Sequence, residues 1–373
     1  MKLGDLLTEY KELNVGNRYR PVAVGRFGIR AREDIYTKEL AKDYSKNKVI
    51  HQNTLTVGMG SKQIDIGILT SEERYSVSPA YHTYHIGDVD CDYLRYCLEA
   101  RNADMFKRFA KRGTRQGKTI DLKRWLGYRI YLPSKERQAA VVRRLDAVER
   151  QIGDCKAMGQ RLDDLVKSRF VEMFGDPIYN EKGYPEKRLG ELLEIARGGS
   201  PRPIKDYLTN DPEGINWIKI GDTVEGSRYI NSTAEKIKPE GKAKSREVKA
   251  GDFLLSNSMS FGRPYILNID GCIHDGWLVL SDSRKRFNKA FLCELLGSSA
   301  LKAKFSSSVR GGVVSNLNID LVASTVVPYP PLALQQQFAD FVARVDKLGF
   351  DCCRMTTYCD TVFSSVSARL LCT

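Results

Sequence analysis

The chain has 373 residues, with 59 Lys and Arg against 46 Asp and Glu, a formal net charge of +13 and 42% hydrophobic residues. That length and apolar content suit two or three ordinary cores rather than a disordered polyelectrolyte. With no run of 18 apolar residues and no apolar signal core after Met1-Lys2-Leu3-Gly4-Asp5, the sequence argues against a membrane span or secretion. Its nine cysteines, without CxxC spacing, read as free thiols in a reducing cytoplasm. The charge excess points to a polyanion, with nucleic acid first and an acidic protein or membrane surface as the bland alternatives.

Residues 1 to 132 read as a first globular unit of mixed α and β structure. Leu3 to Leu7 opens a short helix, and strand-like segments follow at Tyr19 to Val24, Thr54 to Val57 and Ile64 to Leu69, punctuated by Gly and Asn. After Tyr75 to Tyr81 comes a helical stretch, Asp92 to Ala110. Between Arg101 and Arg129 stand ten Lys or Arg against Asp104 and Asp121 alone. Within it, Arg112-Gly113-Thr114-Arg115-Gln116-Gly117-Lys118 is a glycine-bearing basic loop. Glycine lets backbone approach a phosphate, and Arg, Lys and Gln supply donors to phosphates and base edges. Tyr81, Lys107, Arg108, Lys111, Arg112, Arg115, Gln116 and Lys118 are therefore candidate nucleic-acid contacts; the plain alternative is a solvated basic surface.

Residues 133 to 177 read as one long helix. Val141, Leu145, Val148, Ile152, Cys155, Met158, Leu162 and Val166 recur at steps of three and four, the narrow seam of a heptad. Phe174-Gly175-Asp176-Pro177 supplies a stop. A helix of this length spans roughly 60 Å, and one narrow seam needs a partner helix to cover it.

Residues 178 to 331 repeat the first unit. Leu189-Gly190-Glu191-Leu192-Leu193 echoes Leu3-Gly4-Asp5-Leu6-Leu7; a strand and turn are expected at Trp217 to Asp222, strands at Asp252 to Ser256 and Trp277 to Ser281, and a helix from Phe291 to Phe305. The glycine-rich run Arg197 to Lys205 and the run Val309 to Asn316 occupy loop positions. Arg202, Lys205, Lys219, Arg263, Arg310 and Asn316 are the candidate contacts here. The offset between units is 186 at their starts and 198 at the prolines Pro133 and Pro331, so the second unit is longer by about a dozen residues. Residues 332 to 373 then repeat the long helix. Adding 200 carries the seam Leu145, Val148, Ile152, Leu162 and Val166 onto Val345, Leu348, Cys352, Val362 and Val366, with Cys155 falling on Met355. A chain carrying both helices of the pair has no need of a second copy to cover the seam.

Catalytic chemistry is not legible. Ser78-Pro79-Ala80-Tyr81 approaches the Pro-Pro-aromatic tetrad of amino-group DNA methyltransferases but lacks the second Pro, and no Gly-rich loop follows a strand to hold a nucleoside cofactor. The four histidines have no metal-ligand spacing with the cysteines, so no metal site and no catalytic residues are expected.

Taken together, the chain resembles the specificity subunit of type I restriction–modification systems. The carrying stretches are Val77 to Tyr81; Tyr131-Leu132-Pro133 with Glu136-Arg137-Gln138; Ser168 to Pro177; Gly198 to Pro203; Trp217 to Asp222; and Pro330 to Gln337. The resemblance implies two α+β target recognition domains separated by two long antiparallel helices forming a coiled coil. Each domain would read one half of a split sequence in double-stranded DNA. It further implies a non-catalytic subunit that docks methyltransferase subunits and, through the complex, motor-nuclease subunits. S-adenosylmethionine, ATP and Mg²⁺ would belong to those partners. One departure is that the second helix lacks a Met-Phe-Gly-Asp-Pro end. The runner-up is a non-catalytic adaptor with a coiled-coil rod whose basic heads bind nucleic acid or an acidic protein; a free-standing methyltransferase is the third reading.

Overall fold

Two helices of forty residues or more, Lys135–Phe174 and Leu332–Cys372, run through both of the compact units into which the chain folds. One unit is Met1–Lys156 with the chain from Cys353 onward; the other is Ala157–Cys352. The structure, a computed structural model, describes residues 1–25, 28–35, 41–112, 118–224, 227–257, 262–309 and 317–372.

In the first unit the strands are β1 (Leu7–Tyr10), β2 (Val22–Gly25), β3 (Gly28–Ala31), β4 (Lys48–Ile50), β5 (Thr54–Met59), β6 (Ile64–Leu69), β7 (Tyr75–Val77) and β8 (His82–Ile86). Helices α1 (Cys91–Ala100) and α2 (Asn102–Phe109) follow, then β9 (Ala110–Arg112), β10 (Lys118–Ile120), α3 (Leu122–Leu126) and the long α4 (Lys135–Phe174). A four-stranded sheet of order β1-β8-β5-β6 is antiparallel throughout. Leu55, Val57, Ile64 and Tyr84 from this sheet pack against Tyr93, Leu94 and Cys97 of α1, Met105 of α2 and Trp125 of α3, and Val141 and Leu145 of α4 close the same core. Val22, Val24, Ile50, Leu69 and Val77 form a smaller core under β2 and β3. The single helix expected over 92–110 is broken after Ala100, and Asp90 caps α1 by accepting from the backbone N–H of Tyr93 at 2.9 Å.

The second unit contains β11 (Glu186–Arg188), α5 (Leu189–Leu192), β12 (Glu194–Arg197), β13 (Leu208–Thr209), β14 (Ile215–Ile218), β15 (Tyr229–Ile230), β16 (Glu235–Ile237), α6 (Pro239–Lys242), β17 (Arg246–Val248), β18 (Phe253–Ser256), β19 (Pro264–Leu267), β20 (Gly271–Ile273) and β21 (Trp277–Ser281). Helices α7 (Lys289–Gly297), α8 (Ser299–Val309) and α9 (Ile319–Ser324), strand β22 (Val326–Pro328) and the part of α10 (Leu332–Cys372) up to Cys352 complete it. Two five-stranded sheets, β12-β21-β18-β19-β15 and β13-β16-β14-β20-β17, are present. The hydrophobic runs Phe253-Leu254-Leu255 and Trp277 to Leu280 are buried on both faces, which is why they read as continuous rather than alternating.

The repeat is visible at atomic level. Gln138 and Gln335 are both buried in the first turns of the long helices. The Gln138 amide donates to the Pro133 carbonyl at 2.8 Å and accepts from Asp90 N–H at 2.9 Å. Gln335 donates to Pro330 at 2.9 Å and accepts from Asn288 N–H at 2.8 Å. Asp90 and Asn288 are the N-caps of α1 and α7, so in each unit one amide ties a long helix to the first short one. Likewise Leu3 N–H donates to Tyr128 O and Leu189 N–H to Thr325 O, and Asp121 and Asn318 cap α3 and α9.

These pairs correct the register expected for the second helix. From Tyr128/Thr325 through Gln138/Gln335 the offset is 197, not 198 or 200. In the first unit, the α4 seam of Val141, Leu145, Val148, Ile152 and Cys155 is matched by Thr356, Cys359 and Phe363 of α10. The Cys359 Sγ lies 3.7 Å from Gln151 Oε1, and Phe363 packs on that core. In the second unit, Gly159, Leu162, Val166 and Phe170 are matched by Phe338, Val342, Val345, Gly349 and Cys352. Phe170 and Phe338 meet edge-on at 5.6 Å, and Leu162 lies over Gly349. In the second unit these contacts run in opposite senses along the two helix segments. Met158, Leu348 and Met355, expected on the seam, are 44%, 57% and 51% exposed. A shift of three residues carries one seam position of a heptad onto the other, so Val345 and Cys352 stay on the seam. It carries the second position onto the outer face, where Leu348 and Met355 stand. Val362 is half-buried; the Val366 side chain lies outside the described residues.

Candidate nucleic-acid interface

In the first unit the basic cluster is carried by α2, the antiparallel pair β9–β10, and α3. Lys107, Arg108, Lys111 and Lys118 are exposed. Arg108 is held by Asp104, Nε to Oδ1 2.8 Å, and Lys111 lies 3.8 Å from Asp121. The Lys118 ammonium sits 4.7 Å from the Phe106 ring centre and donates to Ser61 O at 3.4 Å. Lys111 and Lys118 thus stand on paired strands, since β9 and β10 match Arg112 with Lys118 and Ala110 with Ile120. The Arg112 side chain and all of Arg115 and Gln116 lie outside the described residues.

Tyr81 has a packing role that the sequence did not disclose. Its ring lies against Gly58, where a Cβ would come within 2.3 Å of ring carbons, and its hydroxyl donates to Val24 O at 2.9 Å. The side chain therefore braces β5 against β2. Next to it, Lys48 donates to Tyr81 O, and burial pulls its pKa below the usual lysine range.

In the second unit the loop after β12 converges on Asp275. Ser200 Oγ donates to Asp275 Oδ1 at 2.9 Å, Arg202 pairs with Oδ2 at 3.4 Å, and Asn257 donates to its carbonyl at 2.8 Å. Burial pushes the Asp275 carboxyl up, but the Ser200 hydroxyl, a backbone N–H and the neighbouring cations outweigh it and hold the group below the ordinary aspartate range. Arg202 and Lys205 are exposed. Lys219 is half-buried and paired to Glu235 at 2.7 Å. Arg263 is half-buried over the Tyr265 ring; burial first, and then the nearby Arg263, pull the Lys302 pKa down. Arg310 and Asn316 lie outside the described residues.

Sequence reasoning counted Arg101, Arg124 and Arg129 in the basic stretch without singling them out. The structure gathers them with Arg108 around one cavity of about 460 Å³ in the first unit. No group of three or more His, Cys, Asp or Glu among the described residues is arranged to hold a metal ion.

Residues 181–352 match the family model for the type I restriction modification DNA specificity domain, a span contained in the second unit. The whole chain is similar in fold to the S subunit of a type I restriction-modification system from M. genitalium. That match covers 100% of this chain and 96% of the other at 14% identity and a TM-score of 0.55. It is likewise similar to a chain from a structure of complex assembly and conformational transition in a type I R-M system, with 99% and 96% covered, 15% identity and a TM-score of 0.57. The second unit thus holds the stretch similar to a DNA specificity domain, and the glutamine ties and caps shared with residues 1–156 make the first unit its structural repeat. The family match is carried by residues 181–352, and over its whole length the chain shares the fold of these S subunits.

Proposed function

We propose that this chain is a DNA specificity subunit that reads a bipartite target, one globular unit per half-site, with α4 and α10 forming an antiparallel coiled coil that spaces them. The observation that carries this reading is the duplicated joint: Gln138 and Gln335 fasten each globular part to a long helix through the same two hydrogen bonds. Two heads fixed alike to a stiff helix pair suit a target split into two halves. The domains are then 1–132, 178–331 and the helices 133–177 and 332–373. The exposed Lys107, Arg108, Lys111, Lys118, Arg202 and Lys205 would meet phosphates, together with Arg112, Arg115, Gln116, Arg310 and Asn316, and with Lys219, Arg263 and Tyr81 in support. The chain has no catalysis of its own in this reading. It docks methyltransferase subunits, and the assembly takes up motor-nuclease subunits; S-adenosylmethionine, ATP and Mg²⁺ act in those partners. Apolar side chains left on the outer helix faces support docking: Met158, Leu165, Leu348 and Phe350 in the second unit, Met355 and Tyr358 in the first, each 44–66% exposed.

The test is methylation mapping on random-sequence DNA with the full chain and a methyltransferase subunit. The expected product is a two-part motif with a fixed gap. Replacing residues 181–331 by the same region of another specificity subunit changes one half only. An undivided motif, or methyl transfer by the mass-verified chain alone, would overturn the proposal.

A further inference from the structure

The cavity of about 460 Å³ in the first unit is lined by Arg101, Arg108, Arg124 and Arg129, with Asp104 as the one carboxylate among its lining residues. Asp104 is already engaged, since Arg108 Nε donates to one oxygen at 2.8 Å and the Tyr128 hydroxyl to the other at 3.1 Å. Those bonds, Arg108's first, keep its carboxyl below the ordinary range and therefore ionised. It offsets one guanidinium and leaves an excess of three. Arg124 is steadied over the Phe109 ring at 5.9 Å, and Phe109 meets Tyr128 edge-on at 5.7 Å, so the cavity has an aromatic floor. A concave wall whose guanidinium groups outnumber the carboxylates by three among its described lining residues focuses positive potential, and planar forked donors match a tetrahedral oxyanion bidentately.

We propose that Arg101, Arg124 and Arg129 form a phosphate-binding site. The duplicated architecture indicates what the site is for. The matching positions in the second unit are Ser298, the C-cap of α7 as Arg101 is of α1, and Leu321 and Val326, so the arginines are not repeated. A partner that docks alike on both units would need the same residues twice. A site present once belongs to one half of a divided ligand, and on the DNA reading above, on which this source rests, the phosphate is one of the backbone at the half-site read by the first unit.

The experiment uses the full chain and the variant R101Q/R124Q/R129Q, with R129Q alone as a surface change that spares the fold and R124K/R129K to keep charge without the fork. Two quantities are measured: the salt dependence of duplex DNA binding, and the protection of residues 101–130 from hydrogen exchange by inorganic phosphate against chloride at equal ionic strength. Counterion release counts phosphates rather than arginines, so one clamped phosphate predicts that the triple variant loses about 0.9 from the log–log slope, not three times that. R129Q should lose part of the affinity, and R124K/R129K should weaken binding with the slope kept. A kept slope with lost phosphate protection assigns the site to free phosphate. If neither changes, or if the variant loses only its association with a methyltransferase subunit, the site is not a phosphate site. Wild-type chain that shows no salt-dependent DNA binding would sink the DNA reading, while the phosphate arm still judges the cavity.

Discussion

At the scale of single residues, the strongest constraints are buried amides and carboxylates that the sequence offers no way to pick out. Gln335 is fully buried and makes both of its bonds to backbone. Gln335→Ala leaves the Asn288 N–H and the Pro330 carbonyl without partners, at a cost of about 1–3 kcal/mol for each buried orphan. Chemical denaturation should show the midpoint falling with the m-value unchanged. In the same unit Arg228 lies between Glu294, at 3.5 Å, and Asp346, at 3.9 Å. Burial raises both carboxyl pKa values in spite of the arginine. A carboxyl whose folded pKa lies above its unfolded one favours folding while protonated. The contribution is full below the unfolded value near 4 and is lost as pH rises through the folded value. Glu294→Gln removes one such titration. Melting curves from pH 4 upward should therefore show the variant gaining on the wild type as pH rises, and a constant difference would refute the assignment. Of the nucleic-acid candidates, composition alone led to the exposed lysines and arginines. That Tyr81 is spent on Gly58, or that Arg101, Arg124 and Arg129 converge, depends on contacts between segments distant in sequence, which no local pattern encodes.

Among the elements, the long helices were the most legible and also the place where the register was misjudged. The three-four spacing in α4 is strong because Arg, Asp and Lys fill the other positions, but α10 carries apolar residues on two faces, and Leu348 and Met355 fit a seam that is not used. The glycines decided the matter. Gly159 and Gly349 sit half-buried on the seam, where a sequence pattern scored on apolar side chains passes over them. A Cβ at Gly349 would touch Leu162 Cδ1 at 3.9 Å, an ordinary contact, and one at Gly159 would meet nothing within 4 Å. Gly349→Ala should therefore raise stability by about 1 kcal/mol through helix propensity. A drop in melting temperature would mean that the two backbones need that glycine to approach. Gly175 differs: it ends α4 at φ +74 with its N–H on Val171 O, so alanine there would be strained.

For the whole molecule, the proposed spacing role can be tested without disturbing either head. One heptad inserted into each long helix, after Gly159 and at the facing position before Gly349, keeps the seam in phase and adds roughly 10 Å at 1.5 Å per residue. At about 3.4 Å per base pair the gap between half-sites should widen by about three base pairs, with both half-sequences unchanged. Methylation mapping over a library of gap lengths reads this directly, and a preferred gap that does not move would show that the helices are not the spacer. The order of globular part and long helix was legible because the two halves share offsets. The sheets of the second unit were not, because β14 and β20 pair in parallel across more than fifty residues, a contact that local pattern cannot reveal.

The unit made first is completed last. Residues 1–156 leave the ribosome long before the segment from Cys353 onward, which supplies Cys359 and Phe363 to their core, whereas Ala157–Cys352 is continuous and can close as soon as it emerges. Throughout that interval the α4 seam around Val148 and Ile152 is bare in the nascent chain. The C-terminal helix of a neighbouring copy, synthesised on the same message, would fit it as well as the chain's own, so polysome spacing and synthesis rate become determinants of whether this protein is born as a closed monomer or as an exchanged pair.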